Sequence, residues 1–354
     1  MNSIESVSLR SAVGITTLLS LENVGPVTVS KVIGRYADFR ALLAASTDDL
    51  KPLMNEKQRR RIQDEPDALQ TAFDFALRQA DMAEEYEVQM LSVYDDAYPA
   101  RLRDDPSPPM VLFVGGNLSE LDASVAFVGT RKPSEWGRGA AKAMSGAMAE
   151  AGWRIVSGLA AGIDAASHRA CVDAGTPTAA VISCGIDMLD PDRDRDRFAF
   201  LERIIDGGGL VVTEQLFGTP SSENTLIRRN RIITGLSLAT FFVQGEMQSG
   251  SMHSVKYALQ QGRQVYVPAI SAVQAQDPLN HTASNLARLS PQDLLLLMDL
   301  QKGNLRNVLE TMDAPTVASA VVGSKDYPRV FKELEDMLTR DFSRETSVEL
   351  RAAS

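Results

Sequence analysis

Four short clusters combine glycine, hydroxyl side chains and cations in the way an anion site requires. The first is Gly129-Thr130-Arg131-Lys132, followed by Pro133-Ser134 and Trp136-Gly137. A glycine ending an apolar run lets backbone approach a ligand closely. A helix start after it offers free amides and a positive dipole end, and Arg131 and Lys132 add full charges, the arginine with bidentate reach. The second cluster is Ser157-Gly158-Leu159-Ala160-Ala161-Gly162-Ile163-Asp164, with His168 one turn further on. Ser157 suits a bond to phosphate, Asp164 suits a helix N-cap, and His168 reads as a packing or capping histidine ahead of a base. The third, Thr225-Leu226-Ile227-Arg228-Arg229-Asn230-Arg231, packs three arginines and an amide at a helix start. It suits phosphate and sugar contacts that position a strand. Glu214 and Glu223 are alternative internal partners, above all for Arg231. The fourth, Gln248-Ser249-Gly250-Ser251, opens a helix before Tyr257 and reads as an anion site, as an ordinary serine cap, or as both.

Other chemistries are excluded by pattern. There is no G-x-G-x-x-G and no evident ribose-binding acid, so the first cluster is not a dinucleotide fingerprint. The nucleophile elbow G-x-S-x-G is also absent. The alternating run Asp190-Pro191-Asp192-Arg193-Asp194-Arg195-Asp196-Arg197 reads as a solvated loop and helix start. Asp192, Asp194 and Asp196 resemble half of a calcium loop without its glycine or its distant glutamate. No metal, cofactor or catalytic residue is expected.

These clusters need a frame. Apolar runs at 124–129, 154–158, 178–183, 209–214, 238–245 and 263–269 alternate with helical segments at 140–152, 162–175, 195–208, 228–237 and 249–262. Near-continuous apolar strands alternating with helices predict an α/β fold with a parallel sheet covered on both faces. Right-handed crossovers make it doubly wound, and such sheets bind ligands at the carboxyl ends of their strands. Residues 1–89 read as all helical. Around Gly25-Pro26, two short helices resemble a helix-hairpin-helix unit with one glycine of the usual pair, and a small packing domain is the plainer reading. A further helix starts near Asp67, with Leu69, Phe73, Ala76, Leu77 and Ala80 on one face. Residues 90–120 form a connector rich in Pro and Asp, a loop with one short strand near 111–114. The Rossmann-like core spans 121–300. The segment 301–354 carries LLLLMDL just before it and YPRVFKELEDMLTRDF within it, both helical in pattern, and ends in a frayed tail.

Composition narrows the class. The 354 residues are 44% apolar, enough for a sizeable core, and carry a formal net charge of -10. That charge argues against a non-specific nucleic-acid coat protein but leaves room for a local cationic patch. No apolar run nears the roughly 20 residues a membrane span needs, and MNSIESVSLR is no secretory signal. Cys171 and Cys184 have no metal spacing. A disulfide is open on count alone, but two core thiols in a cytosolic protein is the ordinary reading.

The four clusters stand in the order found in the DprA/Smf family of DNA-processing proteins, which the chain resembles. GTRKPSEWG is similar to G-S-R-x-x-S-x-Y-G, SGLAAGIDAASH to S-G-L-A-R-G-I-D-x-x-A-H, RRNRIITGLS to R-N-R-I-I-x-G-L-S, and SGSMHSVKYALQQGR to S-G-S-x-x-T-A-x-x-A-x-x-x-G-R. GTPTAAVISCGIDMLDP and AYPARLRDDPSPPMVLFVGGNL extend the likeness over roughly 98–268. The resemblance implies an extended Rossmann-like, mostly parallel sheet with an N-terminal all-α (helix-hairpin-helix or SAM-like) domain. It implies a cytoplasmic homodimer without catalytic turnover that binds incoming single-stranded DNA in natural transformation and helps load RecA. Arg131 and Arg229-Asn230-Arg231 would contact DNA, and Gly129, Gly158 and Ser249-Gly250-Ser251 would shape the pocket. The chain departs from the pattern at Ala161 (family Arg), Leu226-Ile227 (Phe-Pro), Gln244 (an acid) and Ala269 (Gly). DPLNHTASNLARL replaces a later Gly-rich segment, and no winged helix is evident. A nucleotide-binding sensor on the same fold is the second reading. A nucleotide hydrolase comes last, because P-G-G-x-G-T-x-x-E is absent.

Overall fold

The structure, a computed structural model, describes residues 4–118, 121–189, 195–291 and 316–352. The acidic run at 190–194, LLLLMDL at 294–300 and the first part of the C-terminal segment lie outside the described residues.

The N-terminal region is helical, as its periodicity predicts: α1 (Ala12–Leu19), α2 (Pro26–Ile33), α3 (Phe39–Leu43), α4 (Thr47–Leu50), α5 (Glu56–Gln63) and α6 (Pro66–Glu85). Side-chain caps set four of the starts: Ser11 accepts from the Gly14 amide, Asp38 from Ala41, Ser46 from Asp49, and Asn55 from Gln58. Pro26 opens α2 at the one place where a missing N–H costs nothing.

The remaining elements alternate: β1 (Val88–Ser92), α7 (Ala100–Arg103), β2 (Val111–Gly116), β3 (Ser124–Val128), α8 (Glu135–Glu150), β4 (Arg154–Ser157), α9 (Ile163–Asp173), β5 (Thr178–Val181), α10 (Arg195–Asp206), β6 (Leu210–Thr213), α11 (Glu223–Arg228), α12 (Asn230–Gly235), β7 (Ala239–Phe242), α13 (Ser251–Gln260), β8 (Gln264–Pro268), α14 (His281–Leu286), β9 (Ser319–Val321) and α15 (Tyr327–Ala352). The strands form one sheet in the order β1-β2-β6-β5-β4-β3-β7-β8-β9. It is parallel from β6 to β9, while β2 runs antiparallel to β6 and β1 antiparallel to β2.

Three expectations are corrected here. The connector is not a loop with one strand: it supplies β2 and the end of β1, with Met90 opposite Phe113. The segment 228–237 is not one helix, because the chain breaks at Arg229 between α11 and α12. The C-terminal tail is helical to Ala352. Arg101 Nε holds this last helix through Asp341, 2.8 Å away, and Val330 and Leu334 are fully buried in the sheet's core.

Alternation along the strands feeds two cores. On β3, Val125 and Phe127 face α8, α9 and α15, while Ala126 and Val128 face α12 and α13. Phe127, Phe241 and Tyr266 stack across β3, β7 and β8 with ring centroids 4.7 and 5.0 Å apart. The helical region does not float free: Val88, Val111, Phe113 and Phe217 share one apolar cluster with α1–α6. The winding reverses direction at β3, whose neighbours are β4 and β7, so the loops after β3 and β7 flank a topological switch point, where such sheets bind ligands.

Candidate functional site

A cleft of about 740 Å³ opens at that switch point. The loop after β3 brings Gly129, Thr130, Arg131 and Lys132 to it, the α11–α12 turn brings Arg229 and Asn230, and the loop after β7 brings Ser249, Gly250 and Ser251. Arg131 and Lys132 are exposed and enter no ion pair among the described residues. Gly250 caps the ten-residue α13, and the N–H groups of Gly250 and Ser251 have no backbone partner among the described residues. The Ser249 and Ser251 hydroxyls bond each other at 2.8 Å.

The loop after β3 is fixed from three sides. Thr130 donates its N–H to the Gln244 carbonyl at 2.7 Å and accepts from the Ile163 amide at 3.1 Å. Gly162 sits at φ +86, and a Cβ there would lie 2.3 Å from the Thr130 oxygen, so only glycine fits both conformation and space. Gln244, fully buried, takes the Ser134 N–H on Oε1 at 2.9 Å. Its Nε2 donates to Ser134 Oγ at 2.8 Å, to Asn280 Oδ1 at 2.7 Å and to Asp277 Oδ2 at 3.2 Å. Ser134 in turn caps α8.

Not every residue singled out by sequence reaches the cleft. Ser157 is buried and donates Oγ to the Phe127 carbonyl at 2.6 Å, so it stitches neighbouring strands and has no free hydroxyl for phosphate. Gly158 lies under the floor, where a Cβ would meet the Arg229 guanidinium. Arg231 faces the other way and grips Glu214 with two bonds, 2.8 and 2.7 Å, one of the two internal partners the sequence offers. Arg228 is 62% exposed, 3.9 Å from Glu214, and lines a different cavity. Arg229 does reach the cleft, but as its floor: it is 5% exposed, donates to the carbonyls of Gly158 and Val181, and lies 3.8 Å from Asp164. Burial draws its pKa down to about 10, against the pull of Asp164, so it stays cationic at neutral pH. Asn230 bridges floor and rim, accepting from Arg229 Nε at 3.2 Å and donating to the Gly250 carbonyl at 3.3 Å.

Asp164 is not the N-cap of α9, a place taken by Gly162. Its carboxylate accepts from the Gly158 N–H at 3.1 Å. Burial pushes its pKa up, and Arg229 pulls it back. His168 is a packing residue: fully buried, with Nδ1 2.8 Å from Thr178 Oγ1, it is driven down to about 3 by burial and then by Arg229. The cleft is not one-sidedly cationic, since Glu223 and Glu246 join Asp164 on its lining. Half-buried Leu226 and Ile227 provide its aliphatic wall, and half-buried His253 is held below the usual histidine range by burial and by Lys256. The sequence reading missed Glu246 and His253, and no periodicity marks either one.

A doubly wound sheet with an amide-lined, partly cationic cleft at its switch point defines a Rossmann-like binding protein. The family model described as DNA recombination-mediator protein A matches residues 89–295, more than half of the chain. The chain belongs to that family. Protein Smf of Synechocystis is 37% identical over 183 residues, covering 50% of this chain and 45% of the relative. DNA processing protein DprA of Streptococcus pneumoniae is 34% identical over 227 residues, covering 62% and 78%. The chain spans about half the length of the first curated relatives it matches. The X-ray structure of the pneumococcal DprA superposes with a TM-score of 0.60 at 24% identity over 89% of this chain and 96% of the other, which shows the fold.

Proposed function

We propose that the chain binds single-stranded DNA by its phosphates across the strand-end cleft and acts as a recombination mediator. The observation that carries this reading is convergence. Three separate loops deliver the exposed Arg131 and Lys132, the Gly250 and Ser251 amides, which have no backbone partner among the described residues, and the Asn230 amide to one open groove. Phosphate contacts of this kind fix a strand without reading its sequence. The three lining carboxylates offset the cations, so affinity rests on geometry as much as on charge. In this reading Gly129, Thr130, Arg131, Lys132, Asn230, Ser249, Gly250 and Ser251 touch the strand, while Arg229 and Gly158 support them. The role is binding without a chemical step. The protein works in the cytoplasm as a homodimer, protects incoming DNA in natural transformation and passes it to RecA. No helix among the described residues is long and apolar enough to cross a membrane.

The test is fluorescence anisotropy with a labelled single-stranded oligonucleotide, titrated with salt and challenged with duplex. The expected logarithmic plot is linear, with a slope of about -0.7 for each phosphate neutralised, and duplex competes poorly. Binding that ignores salt, or that duplex removes as well as single strand does, overturns the reading.

A further inference from the structure

A second cavity, of about 1040 Å³, lies on the other side of the α11–α12 turn, between the helical region and the sheet edge. One wall comes from α1 and α6. The other comes from the 107–111 segment, the 214–219 loop and α11. Its apolar surface includes Leu19, Leu21, Phe75 and Met110, and its volume suits a small organic ligand. Most charges lining it are already committed: Arg231 to Glu214, and Arg61 to Glu22 and Glu65. Two cations are available. Arg78 on α6 is exposed and has no hydrogen bond or ion pair among the described residues. Arg228 on the opposite wall touches Glu214 only at 3.9 Å, and that carboxylate is held by Arg231.

We propose that this cavity binds a nucleoside phosphate. The anionic group sits between Arg78 and Arg228, for which guanidinium is the suited partner. The flat base lies against Phe75 and Met110. Asp67 and Thr71 on the same wall accept from base amino or sugar hydroxyl groups, which a simple aromatic carboxylate lacks. The site is independent of the strand-end cleft. Its ligand is either a free nucleotide or the 5′-phosphate end of a strand.

The experiment is isothermal titration of the full chain with deoxyadenosine and deoxycytidine 5′-monophosphates, with the nucleoside alone and deoxyribose 5-phosphate as half-ligands. Saturable binding is expected for a whole nucleotide, with either half at least about tenfold weaker, since each half loses one class of contact. Arg78→Ala and Arg228→Ala each weaken the nucleotide by roughly tenfold, the worth of a charged phosphate contact. Arg131→Ala leaves it unchanged. A 5′-phosphorylated oligonucleotide that displaces the mononucleotide better than its 5′-hydroxyl twin identifies a strand end; equal displacement identifies the free nucleotide, and both uphold the site. No saturable uptake of either nucleotide, or uptake abolished by Arg131→Ala and untouched by Arg78→Ala, overturns it.

Discussion

Arg229 and Asp164 face each other beneath the cleft, both buried, with 3.8 Å between guanidinium and carboxylate. The arginine also satisfies the carbonyls of Gly158 and Val181, so its first duty is to hold three segments together. Arg229→Ala strands a buried carboxylate and two carbonyls, and the expected loss is about 3–5 kcal/mol of stability. Asp164→Asn keeps the shape and one acceptor and costs less. Urea unfolding of both variants checks this, with the midpoint falling and the slope unchanged. A wild-type midpoint for Arg229→Ala removes the structural role.

Arg131 and Lys132 are the opposite case. Both are exposed and unpaired among the described residues. Arg131→Ala and Lys132→Ala should therefore leave stability within about 0.5 kcal/mol of wild type. Each should weaken oligonucleotide binding by about fivefold at low salt and flatten the salt slope by about 0.7. Anisotropy and thermal unfolding on the same samples separate the two effects. A variant that binds like wild type at low salt takes its residue out of the interface.

The contrast between these arginines shows where the sequence is readable and where it stops. Apolar runs at 124–129 and 238–245 locate β3 and β7 to within a few residues, because a strand buried on both faces is apolar nearly throughout, with only Ser124 and Thr240 as polar positions here. Short edge strands carry no such signal: β1 interrupts its run with Gln89 and β9 has only Ser319 to Val321. The clusters also show which loops meet, since strand ends in a doubly wound sheet share a rim. What each arginine does there depends on partners far along the chain. Glu214 was visible as a partner for Arg231, being close in sequence. Asp164 was not visible for Arg229, because only the folded sheet brings the start of α9 and the end of α11 together. Gln244 looks like a lost acid in sequence, and becomes intelligible only once Ser134, Asp277 and Asn280 surround it.

His168 makes the fold acid-sensitive. Its folded pKa, about 3, lies below the unfolded value near 6.5. Between those values the unfolded chain takes up a proton that the buried ring refuses, so stability is complete above pH 6.5 and falls as pH drops toward 3. At pH 5 the loss is about 2 kcal/mol relative to neutral pH. His168→Gln, which does not titrate, should be less stable at pH 7 through the lost Thr178 contact, yet show a shallower decline from pH 7 to pH 5. Urea midpoints at the two pH values measure it. A decline as steep as in wild type shows that other groups set the acid limit.

Gln244 works as a donor, and a change of one atom tests this. Its Nε2 donates to Ser134, Asn280 and Asp277, and its Oε1 accepts from the Ser134 amide. Gln244→Glu keeps the shape and the acceptor but turns the donor edge into an oxygen facing the Asp277 carboxylate and Asn280 Oδ1. Burial and the neighbouring acid raise the introduced carboxyl's folded pKa above the ordinary value of about 4.3. The variant then binds a proton more readily folded than unfolded, so its stability deficit is small near pH 4 and grows as pH rises through that folded pKa. At pH 8 the cost should be about 1–3 kcal/mol. Because Ser134 caps the helix that follows Arg131 and Lys132, oligonucleotide affinity should fall with it at pH 8 and recover toward pH 5. Matched unfolding and anisotropy at the two pH values decide the matter, and a deficit equal at both would mean that the donated bonds do not position this loop.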